Sequence, residues 1–201
     1  MYKKYLAEFI GTFALAFAVL LSVASGSQFV VTPVVAALVL GLFVYSIGAI
    51  SGCHINPSVT LGQLFVKKIS SKDAGFYIIA QLLGGIVAMM VASSMGILNS
   101  APATVWDFSG KIFFVEMLGA FFFNFGIASV VYGKAKEQLS GVVVGGSLLL
   151  GILISLLGGA GGILNPAVAL ALNSLTLVYV LAPVVGAVIA FQVYRYLAEA
   201  K

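Results

Sequence analysis

The chain has 201 residues, 62% of them hydrophobic and 8% charged, with a mean hydropathy of +1.17, which excludes an ordinary soluble domain and points to an integral protein of a lipid bilayer. The net charge of +4 and pI near 9.2 do not indicate a nucleic-acid partner, because the ten Lys and Arg are scattered in short segments between apolar runs. One cysteine, Cys53, excludes an intrachain disulfide, and with a single histidine it makes no structural zinc site; no metal or cofactor is expected.

The first apolar run, 5 to 24, follows Lys3 and Lys4 and has the look of a secretory signal. It carries Glu8 and Gly11, which recur in the second half of the chain, so it is read as a structural span. Further long apolar runs fall at about 33 to 50, 73 to 95, 111 to 132, 140 to 158 and 175 to 197. Each is near the length of about 20 residues that crosses a hydrocarbon core. The breaks have turn or loop composition: Ser25-Gly26-Ser27-Gln28, the stretch from Asn99 to Gly110, and Gly133 to Gln138. Six spans put both termini on one side. With that side cytoplasmic, Lys3, Lys4, Lys67, Lys68, Lys72, Lys134, Lys136, Arg195 and Lys201 lie inside, and Lys111 lies outside with Asp107, as the positive-inside rule favours. The expected location is the cell (inner) membrane.

The halves match. At an offset of 108, Lys3, Glu8, Gly11, Phe13 and Phe17 fall on Lys111, Glu116, Gly119, Phe121 and Phe125. At an offset of 109, Gly52, Asn56, Pro57, Val59 and Leu61 fall on Gly161, Asn165, Pro166, Val168 and Leu170. A single domain is expected, with repeat 1 over about 1–100 and repeat 2 over about 108–201. Three spans per half invert the second copy and place a solute path between the halves.

Two apolar segments, Ile55 to Val66 and Leu164 to Ser174, are too short to cross. Asn before Pro starts a helix: Asn caps free N–H groups, and Pro at the first position has none to leave unbonded. Each segment therefore reads as a re-entrant half-helix, and two entering from opposite faces meet near the midplane. The capping oxygens of Asn56 and Asn165 accept backbone N–H groups, which leaves their amide NH2 groups to donate to a passing oxygen. The positive helix ends disfavour cations at that spot.

The ordered set of motifs resembles the major intrinsic protein family, the aquaporins and aquaglyceroporins, over nearly the whole chain. Ala7-Glu8-Phe9-Ile10-Gly11-Thr12 is similar to its first-helix motif, and Ile50-Ser51-Gly52-Cys53-His54-Ile55-Asn56-Pro57-Ser58-Val59-Thr60 to its first re-entrant loop. Ala80-Gln81 with Gly84-Gly85, Glu116, Asn165-Pro166-Ala167, and Pro183 with Gly186 follow in order. The resemblance implies an all-α membrane fold of six helices and two half-helices, a passive channel for water or small uncharged solutes, and a homotetramer. It implies that Glu8 and Glu116 hold the loops by accepting their N–H groups; a proton relay is the alternative. It implies a ladder of pore carbonyls from Gly52, Cys53, His54 and Ile55 and from Gly161, Gly162, Ile163 and Leu164. His54 is read as a structural loop-to-helix bond or a gate, and Cys53 as a small loop residue.

Three departures stand out. The first motif is Asn-Pro-Ser, with Ser58 at its third place, and the second helix is about one turn short of the family pattern. Val168 stands where most members place the constriction arginine, and Arg195, near the C-terminus, is the only arginine in the chain. Counting from the motifs, Leu153, Gly162 and Val168 line the constriction with Ala36 or Leu40, all apolar and uncharged. No catalytic set or phosphate-binding loop appears, so no enzyme is expected. A secondary transporter and a closed junction protein are the competing readings.

Overall fold

The computed structural model describes residues 2–26, 30–97 and 108–199. Asp107, Lys201 and most of the 99–110 connection lie outside them, as do Ser27 and Gln28. Among the described residues the fold is all-α, with six helices long and apolar enough to cross a membrane. These are α1 (Lys3–Ala24), α2 (Val31–Ser51), α4 (Ser71–Ser94), α5 (Gly110–Val131), α6 (Ser140–Leu157, after the 3-10 turn Glu137–Leu139) and α8 (Leu177–Glu199). The two half-helices are α3 (Pro57–Phe65) and α7 (Pro166–Ala171). Below, the "terminal face" is the end of the bundle where α1 begins and α8 ends; the "far face" is the opposite end.

The α1 helix packs on α2 and α4, α5 packs in the same way on α6 and α8, and α2 against α6 joins the halves. The apolar stripes of these helices have little hydrophobic drive to associate inside lipid, so close contact depends on small residues. A Cβ on Gly119 of α5 would stand 2.5 Å from the Gly151 carbonyl oxygen of α6, and one on Gly145 of α6 would stand 2.5 Å from the Ala37 carbonyl oxygen of α2. Likewise a Cβ on Gly84 of α4 would stand 2.7 Å from the Phe9 carbonyl oxygen of α1. Backbone therefore approaches backbone closely at these three crossings, which limits the rotation of the helices about their axes.

Both half-helices start as expected and end by the same closure. Lys67 N donates to Leu64 O (3.0 Å) and Lys68 N to Gln63 O (2.9 Å), with Lys67 left-handed at φ +60°. Asn173 N donates to Leu170 O (3.1 Å) and Ser174 N to Ala169 O (2.8 Å), with Asn173 left-handed at φ +52°. This is the reciprocal pair of bonds that terminates a helix at a left-handed residue. It stops α7 at six residues, about 9 Å long, short of the Ser174 boundary read from the sequence. The α3 helix has nine residues and packs on α8 and α4; α7 packs on α4 and α1.

The Gly85 position of α4 seats α7 directly, since a Cβ there would stand 2.5 Å from the Ala167 carbonyl oxygen, whereas Gly75 of the same helix has open space around it. Gly85→Ala should cost about 1 to 3 kcal/mol by forcing the helices apart. Gly75→Ala should be neutral or stabilising by up to about 1 kcal/mol. Thermal unfolding of the detergent-solubilised variants checks the contrast, and equal midpoints would refute this account of the α4–α7 contact.

Candidate functional site: a cavity between two Asn-Pro half-helices

The loops before the half-helices leave helical geometry through left-handed residues. Gly52 (φ +83°) ends α2; Cys53 (φ +50°) and Ile55 (φ +39°) follow, and Gly162 (φ +66°) and Leu164 (φ +53°) stand at the same places in the second loop. Such φ values are unfavourable for side chains with a Cβ, above all for β-branched Ile, at a cost of order 1–3 kcal/mol each. Alternation of backbone sign turns successive N–H groups toward one side, the arrangement that receives an anion.

A buried carboxylate occupies that side in each half. Glu8 Oε1 accepts from His54 N (2.9 Å) and Ser51 Oγ (2.6 Å), and its Oε2 accepts from Ile55 N (2.6 Å) and Gln81 Nε2 (2.8 Å). Glu116 Oε1 accepts from Gly162 N (2.6 Å) and Ile163 N (3.3 Å), and its Oε2 from Leu164 N (3.1 Å). Three residues on from each Glu, a glycine makes room for the left-handed residue. A Cβ on Gly11 would stand 2.5 Å from Ile55 Cγ2, and one on Gly119 would stand 3.1 Å from Leu164 Cδ2.

The two motifs then bind each other. Asn56 Oδ1 caps Ser58 N (2.8 Å) and Asn165 Oδ1 caps Ala167 N (2.9 Å), while Asn56 Nδ2 donates to Leu164 O and Asn165 Nδ2 to Ile55 O, both at 3.0 Å. Of the two hydrogens on each amide, one is therefore used between the halves and one remains. Ser58 is more than a small residue past the cap: its Oγ donates to Asn56 Oδ1 (2.9 Å) and reaches Leu164 O (3.3 Å). Pro57 and Pro166 occupy the first helical position of α3 and α7.

A cavity of about 340 Å³ opens beside this seam and runs along the far-face half of the fold. Of the residues expected at the constriction, Ala36, Leu40, Gly162 and Val168 line it. Leu153 does not; Ile152 does, with Leu148 and Leu156 one turn to either side. The reason is the rotation of α6, where the contacts of Gly145 with α2 and Gly151 with α5 turn the 148–152–156 face inward. Ala36 and Leu40 are one turn apart on α2 and both face the space, so the two placements of the second-helix residue are not exclusive.

Asn56, Asn165, His54, Ile55, Gly161, Gly162 and Ile163 also line the cavity; Gly52, Cys53 and Leu164 do not. Two of the eight carbonyls expected along the pore, Ile55 O and Leu164 O, accept from the asparagines. His54 Nδ1 is bonded to Thr60 Oγ1 (3.1 Å), which also takes Gln81 Nε2 (2.9 Å), so the ring is tied to α3. Tyr77 packs edge-on to His54 and donates to Ser51 O (2.6 Å). The supporting roles of Ser51 and Tyr77 and the lining roles of Tyr179, Thr32 and Phe123 were not legible from the motifs. Gln81, a polar side chain inside an apolar span, is the kind of residue that demands a partner there, and Glu8 and Thr60 are its partners.

Comparison with known proteins agrees with this geometry. The family model described as major intrinsic protein matches residues 1–194. The glycerol uptake facilitator protein-like 6 of Lactiplantibacillus plantarum is 38% identical, over 94% of each chain. The aquaporin AqpM of Methanothermobacter thermautotrophicus is 31% identical, over 97% of each. The X-ray structure of the aquaglyceroporin from Plasmodium falciparum superposes with a TM-score of 0.69 at 21% identity, covering 98% of this chain and 96% of that one, a likeness of fold. With its two Asn-capped half-helices cross-bonded beside a buried cavity, this chain belongs to the major intrinsic protein family.

Proposed function

We propose that the chain is a passive channel for water and small uncharged solutes, with an apolar constriction that lacks the family's usual arginine. One observation carries the reading: the cavity beside Asn56 and Asn165 is lined by no Asp, Glu, Lys or Arg among the described residues, and Val168 occupies the position three past the second capping Asn. The pore residues are Asn56, Asn165 and the carbonyls of His54, Gly161, Gly162 and Ile163; the constriction is formed by Ala36, Leu40, Ile152, Gly162 and Val168. Glu8 and Glu116 hold the loops. A carrier would need a buried charge to couple to an ion, and both carboxylates are taken up by their own loops, Glu8 with four donors. The cargo crosses unchanged, so no catalytic role is assigned. Val168 presents only apolar surface, and selection therefore falls to size and to the few polar groups of the wall.

We further propose that four copies assemble with one pore each in the cell membrane, and that the terminal face is cytoplasmic, where eight of the nine basic residues among the described ones fall. Cysteines placed at 72 and 134 should resist an impermeant thiol reagent on intact cells, and a cysteine at 107 should react; the reverse pattern would invert the topology.

Stopped-flow measurements on proteoliposomes, comparing water, glycerol, urea and ammonia, test the channel reading. Native protein should pass water and at least one of the neutral solutes well above protein-free vesicles. Val168→Arg adds a fixed charge and five donors in a rigid fork. In protein of native assembly state it should cut glycerol and urea passage about tenfold, and that of water much less, the loss matching about 1.4 kcal/mol of added barrier. Unchanged relative permeabilities would remove Val168 from the constriction.

A further inference from the structure

Two polar side-chain atoms among the described residues are buried without a hydrogen-bond partner, Asn124 Oδ1 and Tyr132 Oη. The Asn124 amide still donates to Ala120 O (2.8 Å) within α5, whereas the hydroxyl of Tyr132, the residue that closes α5 on the terminal face, makes no bond. A shielded hydroxyl of this kind calls for a partner. Lys68 Nζ stands 4.4 Å from the centre of the Tyr132 ring, and Arg195 and Glu199 lie within electrostatic reach of the phenol. Glu199 is taken by Arg195, whose Nε donates to its Oε2 at 3.2 Å, so the guanidinium NH2 groups remain to donate elsewhere. Lys68 has no carboxylate, since the ion pairs among the described residues are Lys4–Asp73 and Arg195–Glu199.

We propose that Lys68, Tyr132 and Arg195 form a binding site for the phosphate of an anionic phospholipid in the leaflet at the terminal face. A phosphate offers acceptor oxygens to all three: the ammonium as it turns from the ring face, the guanidinium fork, and the phenol O–H. Lys68, Arg195 and Glu199 are exposed, so their side chains can turn to admit a ligand over Tyr132. A column of rings favours a lipid over free phosphate. Ring centres are 6.0 Å apart from Tyr132 to Tyr194, 4.9 Å from Tyr194 to Phe125 and 5.8 Å from Phe125 to Phe121. These rings are only partly buried and lead from the helix end into the span, where an acyl chain joined to that phosphate would lie. Tyrosine at the end of a span also suits the headgroup level. The fold itself does not need the cluster. At the offset of 108 Tyr132 falls on Ala24, and in the matching closures of the half-helices Lys68 falls on Ser174. The inverted copy therefore ends its span and its half-helix with neither ring nor cation.

None of the three residues lines the cavity, so lipid binding rather than conduction is the readout. Detergent-solubilised native protein is titrated with dioleoyl phosphatidylglycerol, or with dioleoyl phosphatidylcholine, whose choline neutralises the phosphate, and bound lipid is counted by native mass spectrometry. The anionic lipid should bind at least about fivefold more tightly, and Lys68→Gln or Arg195→Gln should each weaken it about fivefold, the worth of one basic residue beside an anionic headgroup. Tyr132→Phe, which keeps the ring, should also weaken it about fivefold, the factor for one neutral hydrogen bond. Lys3→Gln removes the same charge from the same face, but on α1, which does not pack on α5 or α8, and should change binding less than about twofold because distant exposed charges are screened. Native affinity in all three site variants would overturn the proposal. An equal loss in Lys3→Gln would do the same, reducing the site to general surface charge. Displacement of the phosphatidylglycerol by excess inorganic phosphate would overturn the lipid assignment, and its retention would support it. If Tyr132→Phe assembles poorly, the variants of the exposed Lys68 and Arg195 decide.

Discussion

Backbone that leaves helical geometry in the middle of a hydrocarbon layer carries N–H groups that water cannot reach, each costing about 1 to 3 kcal/mol if left unpaired. Five such groups, on His54, Ile55, Gly162, Ile163 and Leu164, are bonded to Glu8 and Glu116. These two carboxylates permit the loops to exist where they do. The loops in turn set Asn56 and Asn165 at helix starts that face each other, and the Nδ2 bonds to Leu164 and Ile55 lock one half of the chain to the other. Remove the cradle and the loops have no reason to keep their left-handed residues, so the cavity wall is lost with them.

The two cradles differ in strength. Around Glu8, Ser51, Gln81, Thr60, His54 and Tyr77 form a connected set of side-chain bonds. Around Glu116, three bonds come from the loop backbone of Gly162, Ile163 and Leu164. The second half-helix is also shorter, six residues against nine. The half with the sparser support is the one that contributes Gly161, Gly162 and Val168 to the cavity wall.

Much of this was legible before any coordinates. The spans follow from apolar run length, and the half-helices from Asn before Pro inside runs too short to cross. The Glu8 and Glu116 positions follow from the 108-residue offset, because a buried carboxylate repeated in register must serve a repeated partner. What the motifs could not provide was rotation. Counting from Asn165 reaches Leu153, but the glycine contacts of α6 turn Ile152 to the cavity and Leu153 away. Nor could they show that Ile55 O and Leu164 O are used between the halves, since that depends on where the two asparagines meet in space. The lining role of Tyr179, four residues before Pro183 in α8, becomes visible only in the structure.

A passive channel cannot concentrate its cargo. Glycerol entering proteoliposomes of the native protein should rise to the bath concentration and stop there, at a rate unaltered by an imposed pH or sodium gradient. Accumulation above the bath level under either gradient would contradict the account and make the protein a coupled carrier.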